Sequence, residues 1–240
     1  MFDNLGAKFY LDFVEKERWR YIVNGLGVTL EVTFFALIIG LLIGMLIAVI
    51  RTSHDQIKGD NHGGIGWVLL SVLNSLANIY LTVIRGTPAL VQLLLIYFVF
   101  LVKSNSKVFV AVVSFGINSG AYVAEIFRSG IMSIDKGQME AGRSLGLPYH
   151  ITMMKIILPQ AIKNVLPALV NEIITLLKET SICGYIGLNE LTRGGDIIRG
   201  VTFDAMLPLL VVAAVYLVIV MFFTHIMSIL ERKLRQSDMH

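Results

Sequence analysis

The sequence predicts an all-α integral membrane protein with about five transmembrane helices. Three observations carry that reading. Of the 240 residues, 55% are hydrophobic, and the mean hydropathy is +0.74. Only 15% are charged, against about 25% in soluble domains. Several apolar runs approach or exceed the ~20 residues that cross a bilayer as a helix. The net charge of +3 is small and scattered, which argues against a nucleic-acid partner and makes the basic residues topology signals. Cys183 is the single cysteine, which excludes an internal disulfide and makes a cysteine metal cluster implausible. The mixed polar start lacks the basic-then-apolar pattern of a cleavable signal peptide.

Residues 1–24 alternate aromatic and charged groups, such as Phe9, Tyr10 and Trp19 among Asp12, Glu15 and Arg18. This suits an amphipathic segment at the membrane surface. Residues 25–235 form the transmembrane domain, and 236–240 the end of a tail. The first span is expected over about 26–50, with Gly40 and Gly44 four apart, a spacing that lets helices approach closely. A polar, glycine-rich loop follows over 52–66, in which His54 and His62 read as solvent-exposed residues rather than metal ligands. Residues 67–84 carry a polar stripe (Ser71, Asn74, Ser75, Asn78) and suit a place partly at the interface or against a neighbour. At Arg85-Gly86-Thr87-Pro88 the chain breaks, with Thr87 placed to cap a helix that starts at Pro88. Residues 89–102 then continue across the membrane. A third span covers about 108–134. A fourth covers about 161–183, interrupted by Pro167. Residues 184–202 form a glycine-rich connection, and the last span covers about 203–230.

Charged side chains in the bilayer core cost about 2.5–3.5 kcal/mol each, so they face protein or water. On the third span Asn118, Tyr122 and Glu125 fall on one face, and Arg128 sits one turn beyond Glu125. On the fourth, Asn171, Thr175 and Lys178 share a face with Glu172 and Glu179 at its edge. Two readings stay open for these groups: lining a path for a solute, or pairing between packed helices. Among the path candidates Glu179 stands out, because it ends the polar face of its span. No catalytic constellation is evident; Ser181 and Cys183 have no nearby histidine to act as a base. Nor is there a Gly-x-x-x-x-Gly-Lys-Ser/Thr sequence, so any ATP chemistry belongs to another polypeptide.

The most informative stretch is the polar loop 136–160, between the third and fourth spans. It reads Glu140-Ala141-Gly142, then Gly146 after three residues, then Ile156-Ile157-Leu158-Pro159 after nine more. Residues 139–145 suit one short helix, Gly146 its left-handed C-terminal cap, and Pro148 its stop. So short a helix needs a surface to dock on. The spacing resembles the EAA loop of membrane subunits of bacterial ABC importers. It departs only at Gly142, which replaces an alanine and weakens the helix by about 1 kcal/mol. Arg85-Gly86-Thr87-Pro88, Tyr122-x-x-Glu125-x-x-Arg128-x-Gly130-Ile131, Pro159-Gln160-Ala161 and Lys178-Glu179-Thr180-Ser181 look like the polar amino acid branch of type I importer permeases.

That resemblance implies a permease fold in which Glu140, Ala141, Gly142, Leu145, Gly146, Leu158 and Pro159 couple to an ATPase subunit. It also implies a second permease subunit, either a copy or a sister chain, and an extracytoplasmic amino acid-binding protein. ATP and Mg would bind the ATPase, and this chain would hold no cofactor. Arg51 and Lys58, then Lys136, Arg143, Lys155 and Lys163, then Arg232, Lys233 and Arg235 place their loops in the cytoplasm, with the N-terminus outside and the C-terminus inside. The rival readings are a secondary transporter, which would usually show a repeated half, and a channel subunit, which would need a filter.

Overall fold

A computed structural model describes residues 5–57 and 64–236, with side chains described over 5–55 and 64–232. Lys58, His62 and residues 237–240 of the expected tail lie outside the described residues. Among the described residues there are helices and no strands. The long ones are α1 (Trp19–Ile57), α2 (Ile65–Gly86), α4 (Lys107–Met132), α6 (Leu158–Glu179) and α8 (Met206–Gln236). Between them lie α3 (Ala89–Leu95), α5 (Lys136–Ser144) and α7 (Leu191–Thr202). Among the described residues, five stretches are long and apolar enough to cross a membrane. The expected fold class is borne out.

Several boundaries differ from the sequence reading. Helix α1 runs 39 residues, about 58 Å at 1.5 Å per residue. It absorbs residues 52–57 of the expected polar loop, because nothing in Thr-Ser-His-Asp-Gln-Ile breaks a helix. His54 is therefore helical, its side chain only 14% exposed and its Nδ1 3.8 Å from Asp55. Residues 89–100 make a helix too short to qualify as a span by itself. Pro88, not Thr87, is the residue before α3, and the Thr87 hydroxyl donates to Val83 O of α2 at 2.8 Å. Pro167 does not interrupt the fourth span; α6 continues through it. A proline removes one N–H and strains one turn, which packed membrane helices tolerate. Residues 149–157 are helical too, so the non-helical part of the polar loop 136–160 after α5 is only Leu145–Pro148.

The main omission is α7. Its glycines suggested a loop, but they serve close packing. A Cβ at Gly194 would lie 2.5 Å from Tyr21 O, and one at Gly195 would lie 2.5 Å from Val212 Cγ2. Leu191 and Ile198 supply its buried apolar positions, and Glu190 caps the helix.

The chain forms two compact units. One comprises Met1–Ile38, Pro88–Gly116 and Ile173–His225. Its core joins Phe13, Ile22, Leu191, Ile198 and Val212. Here the N-terminal segment is anchored rather than loose: Phe13 is buried in this core, and Lys8 Nζ pairs with Asp204 at 3.2 Å. Phe9, Tyr10, Trp19 and Tyr21 remain exposed, as aromatic residues at a headgroup boundary do.

The other unit comprises Ile39–Thr87, Ile117–Glu172 and Ile226–His240. Its core is built on small residues, Ala77, Ala121 and Ala124 with Ile47 and Leu81. The Gly40 and Gly44 pair acts as expected: added Cβ atoms would meet Ser119 Oγ at 2.9 Å and Val123 Cγ1 at 2.4 Å. That is close approach of the α1 backbone to the side chains of α4, the geometry that substitutes for a hydrophobic drive inside lipid.

Candidate coupling and solute-path sites

The segment expected to couple to a partner is built by two local devices. Asp135 accepts a hydrogen bond from Gly137 N at 2.7 Å and starts α5 one turn earlier than expected. At the other end Gly146 has φ +82°, Gly146 N donates to Arg143 O at 2.9 Å, and Leu147 N donates to Gly142 O at 3.1 Å. This pair of bonds is a Schellman cap, and the positive φ requires glycine at no steric cost. The result is a nine-residue helix whose Glu140, Ala141 and Arg143 are exposed. Leu145 directly after it is 81% exposed.

Gly142 faces the opposite way, and its smallness has a cause. A Cβ there would lie 2.5 Å from Thr152 Cγ2 and 2.9 Å from its Oγ1. Thr152 is fully buried in the helical turn Tyr149–Thr152, so it has little room to yield. Gly142 and Thr152 are thus a matched pair that holds α5 against the start of the next helix. Gly142→Ala should lower the melting temperature of the purified chain by a few degrees, consistent with about 1–2 kcal/mol of overpacking. Adding Thr152→Ser should restore most of the loss, a non-additivity that a double-mutant cycle reads directly. Leu158 and Pro159 open α6, Leu158 half-buried and Pro159 exposed.

The path candidates divide into groups. On α4, Asn118 is buried, and Tyr122 is 36% exposed. Glu125 and Arg128 are brought together as expected: Arg128 Nε lies 3.2 and 3.3 Å from the two carboxylate oxygens, and its Nη2 also donates to Oε1. The sequence reading missed two further arginines. Arg51 and Arg85 each reach Glu125 Oε2 at 3.6 Å. The end of α2 therefore lies beside the last turns of α1, a long-range meeting that no local pattern signals. Glu172, left open between path and packing, is buried and accepts from Ser119 Oγ at 2.7 Å.

On α6, Asn171, Thr175 and Lys178 are exposed along one row, and Glu179 is half-buried. Lys178 borders a cavity of about 590 Å³ whose polar wall includes Ser181, Thr192 and Tyr216. Next to it, Glu190 was passed over in the sequence. It is 1% exposed, and it accepts from Thr192 N and Arg193 N, each at 2.7 Å. Burial pushes its carboxyl above the usual range, and those two N–H bonds partly counter the shift.

Residues 64–236 match the family described as binding-protein-dependent transport system inner membrane component. The chain belongs to that family. This inner-membrane component is 41% identical over 217 residues to a putative glutamine transport system permease protein, GlnP, of Rickettsia typhi (strain ATCC VR-144 / Wilmington). That match covers 89% of the chain and 93% of the relative. It is 38% identical over 221 residues to the arginine transport system permease protein ArtQ of Bacillus subtilis (strain 168), covering 91% and 94%. The crystal structure of an amino acid ABC transporter with histidines superposes with a TM-score of 0.80 at 41% identity, covering 92% of this chain and 98% of that one. An inward-facing MetNI methionine ABC transporter, 20% identical, superposes at 0.73 and shares the fold, covering 90% and 97%.

Proposed function

We propose that this inner-membrane component is the permease subunit of an ATP-driven importer that carries a polar or charged amino acid across the cytoplasmic membrane. The observation that carries the reading is the 41% identity to a glutamine permease over nearly the whole of both chains. The exposed α5 with Leu145 at its end supports it, because a short helix kept by caps and left uncovered is built to meet a partner. In this reading separate ATPase subunits hold ATP and Mg and grip Glu140, Ala141, Leu145 and Gly146. An external binding protein delivers the solute, and a second permease subunit, a copy or a sister, completes the pathway. The basic residues around α5 and at the end of α8 set the cytoplasmic side, with the N-terminus outside.

The solute path in this proposal follows the polar rows: Asn118 and Tyr122 of α4, and Asn171, Thr175, Lys178 and Glu179 of α6. The Glu125–Arg128 pair borders it. An amino acid presents a carboxylate and an ammonium, so the path needs both signs, which Lys178 and Glu179 supply. The test is uptake of labelled amino acids into vesicles containing the whole complex, with competition by unlabelled ones. Glu179→Gln should change the competition order while basal ATP hydrolysis and assembly persist. Unchanged uptake of every amino acid tested would remove Glu179 from the path. Absence of any ATP-dependent amino acid uptake by the wild-type complex would overturn the function.

A further inference from the structure

Among the described residues, the Arg51–Arg85–Arg128 cluster carries more positive charge than the carboxylates beside it neutralise. Three guanidinium groups meet one carboxylate, Glu125. The exposed Asp55 acts on Arg128 only through space and lies 3.8 Å from His54. Guanidinium groups do not lose their proton to relieve such an imbalance. The side chains are also partly withdrawn from water, at 21%, 43% and 26% exposure for Arg51, Arg85 and Arg128. At the ends of membrane-spanning helices, beside the lipid headgroups, this arrangement attracts a second anion.

The surroundings say which kind. Arg51 and Arg128 lie in the last two turns of α1 and α4, and Arg85 next to the end of α2. The three border a recess of about 470 Å³, to which Asn78 and Thr82 of α2 add polar side chains. Asn78, Thr82 and Arg85 share one face of α2 at steps of four and three. The other side of the same helix exposes Leu76, Ile79 and Val83, at 57%, 60% and 53%. One helix thus presents donors to a cationic recess and an apolar row beside it. An amphiphile with an anionic head fits both, whereas a small soluble anion uses only the recess.

We propose that this recess binds the phosphate of an anionic phospholipid, with Arg85 and Arg51 donating to it and the acyl chains lying along the apolar row of α2. Fork-shaped guanidinium groups match phosphate oxygens in pairs. A basic pocket between membrane helices is the general form of such a site. A net anionic headgroup is selected because the excess positive charge repels the choline of a zwitterionic one.

The experiment equilibrates the assembled, detergent-purified transporter with equal amounts of phosphatidylglycerol and phosphatidylcholine of identical chains and reads retained lipid by native mass spectrometry. The wild-type complex should retain phosphatidylglycerol about thirtyfold over phosphatidylcholine, as two uncompensated charges near a membrane surface warrant. Arg85→Gln should lower that preference about fivefold, and Arg85→Lys should recover part of it. Equal retention of the two lipids by the wild-type complex overturns the proposal without any variant being needed. So does a thermal shift of the lipid-depleted transporter with inorganic phosphate as large as that with phosphatidylglycerol, which would mark a free-anion site. Altered amino acid competition in Arg85→Gln with unchanged lipid preference also overturns it and returns the cluster to the solute path.

Discussion

Replacing Leu145 by aspartate should release the ATPase subunits while leaving the permease folded. Leu145 is 81% exposed, so the fold loses almost nothing when it changes. A partner groove that receives it would instead have to bury a carboxylate. Apolar anchors at the centre of an interface are worth about 2–4 kcal/mol, or roughly 30- to 1,000-fold in affinity. Co-purification of the ATPase with Leu145→Asp should therefore fall to background in the same detergent that preserves the wild-type complex. Gly146→Val tests the same segment by another cause. A β-branched residue at φ +82° opposes the left-handed cap, so the helix end redirects and coupling falls although Leu145 is intact. Full ATPase retention and transport in both variants would remove α5 as the docking element.

The second large effect belongs to Glu190. Glu190→Ala should destabilise the chain by about 1–2 kcal/mol, because two partly buried N–H groups, of Thr192 and Arg193, lose their acceptor together. The loss extends through Tyr216, whose hydroxyl lies 3.4 Å from Glu190 Oε2 and 3.2 Å from Thr192 Oγ1. Glu190→Gln keeps one acceptor and should cost less than half as much. The pH dependence has a definite sign. With the folded carboxyl above its unfolded value, its contribution to stability is fullest below the unfolded value and falls as pH rises through the folded one. Thermal melts of detergent-solubilised protein should show that decline from the acidic range upward, and Glu190→Gln should flatten it. A melting temperature unchanged in Glu190→Ala would refute the capping role.

The residues that were legible in the sequence act through local rules. Apolar runs, glycine four residues from glycine, and the spacing from Glu140 to Pro159 each depend on the few residues around them. Hence the five long helices, the close approach at Gly40 and Gly44, and the Gly146 cap could all be read in advance. Glu125 and Arg128 pair for the same reason, being one helical turn apart. Helix α7 was hidden because Gly194, Gly195 and Gly200 lower local propensity, and only packing against Tyr21 and Val212 makes the first two useful. The reason for Gly142 lies ten residues away in Thr152. The arrival of Arg51 and Arg85 at Glu125 joins positions 74 and 40 residues apart, which no period or motif encodes. The sequence by itself determined a membrane-spanning helical chain with a short capped helix between its third and fourth spans. Only the tertiary structure decided which charges meet, because inside lipid the pairing follows from which helix ends the packing of small residues brings together.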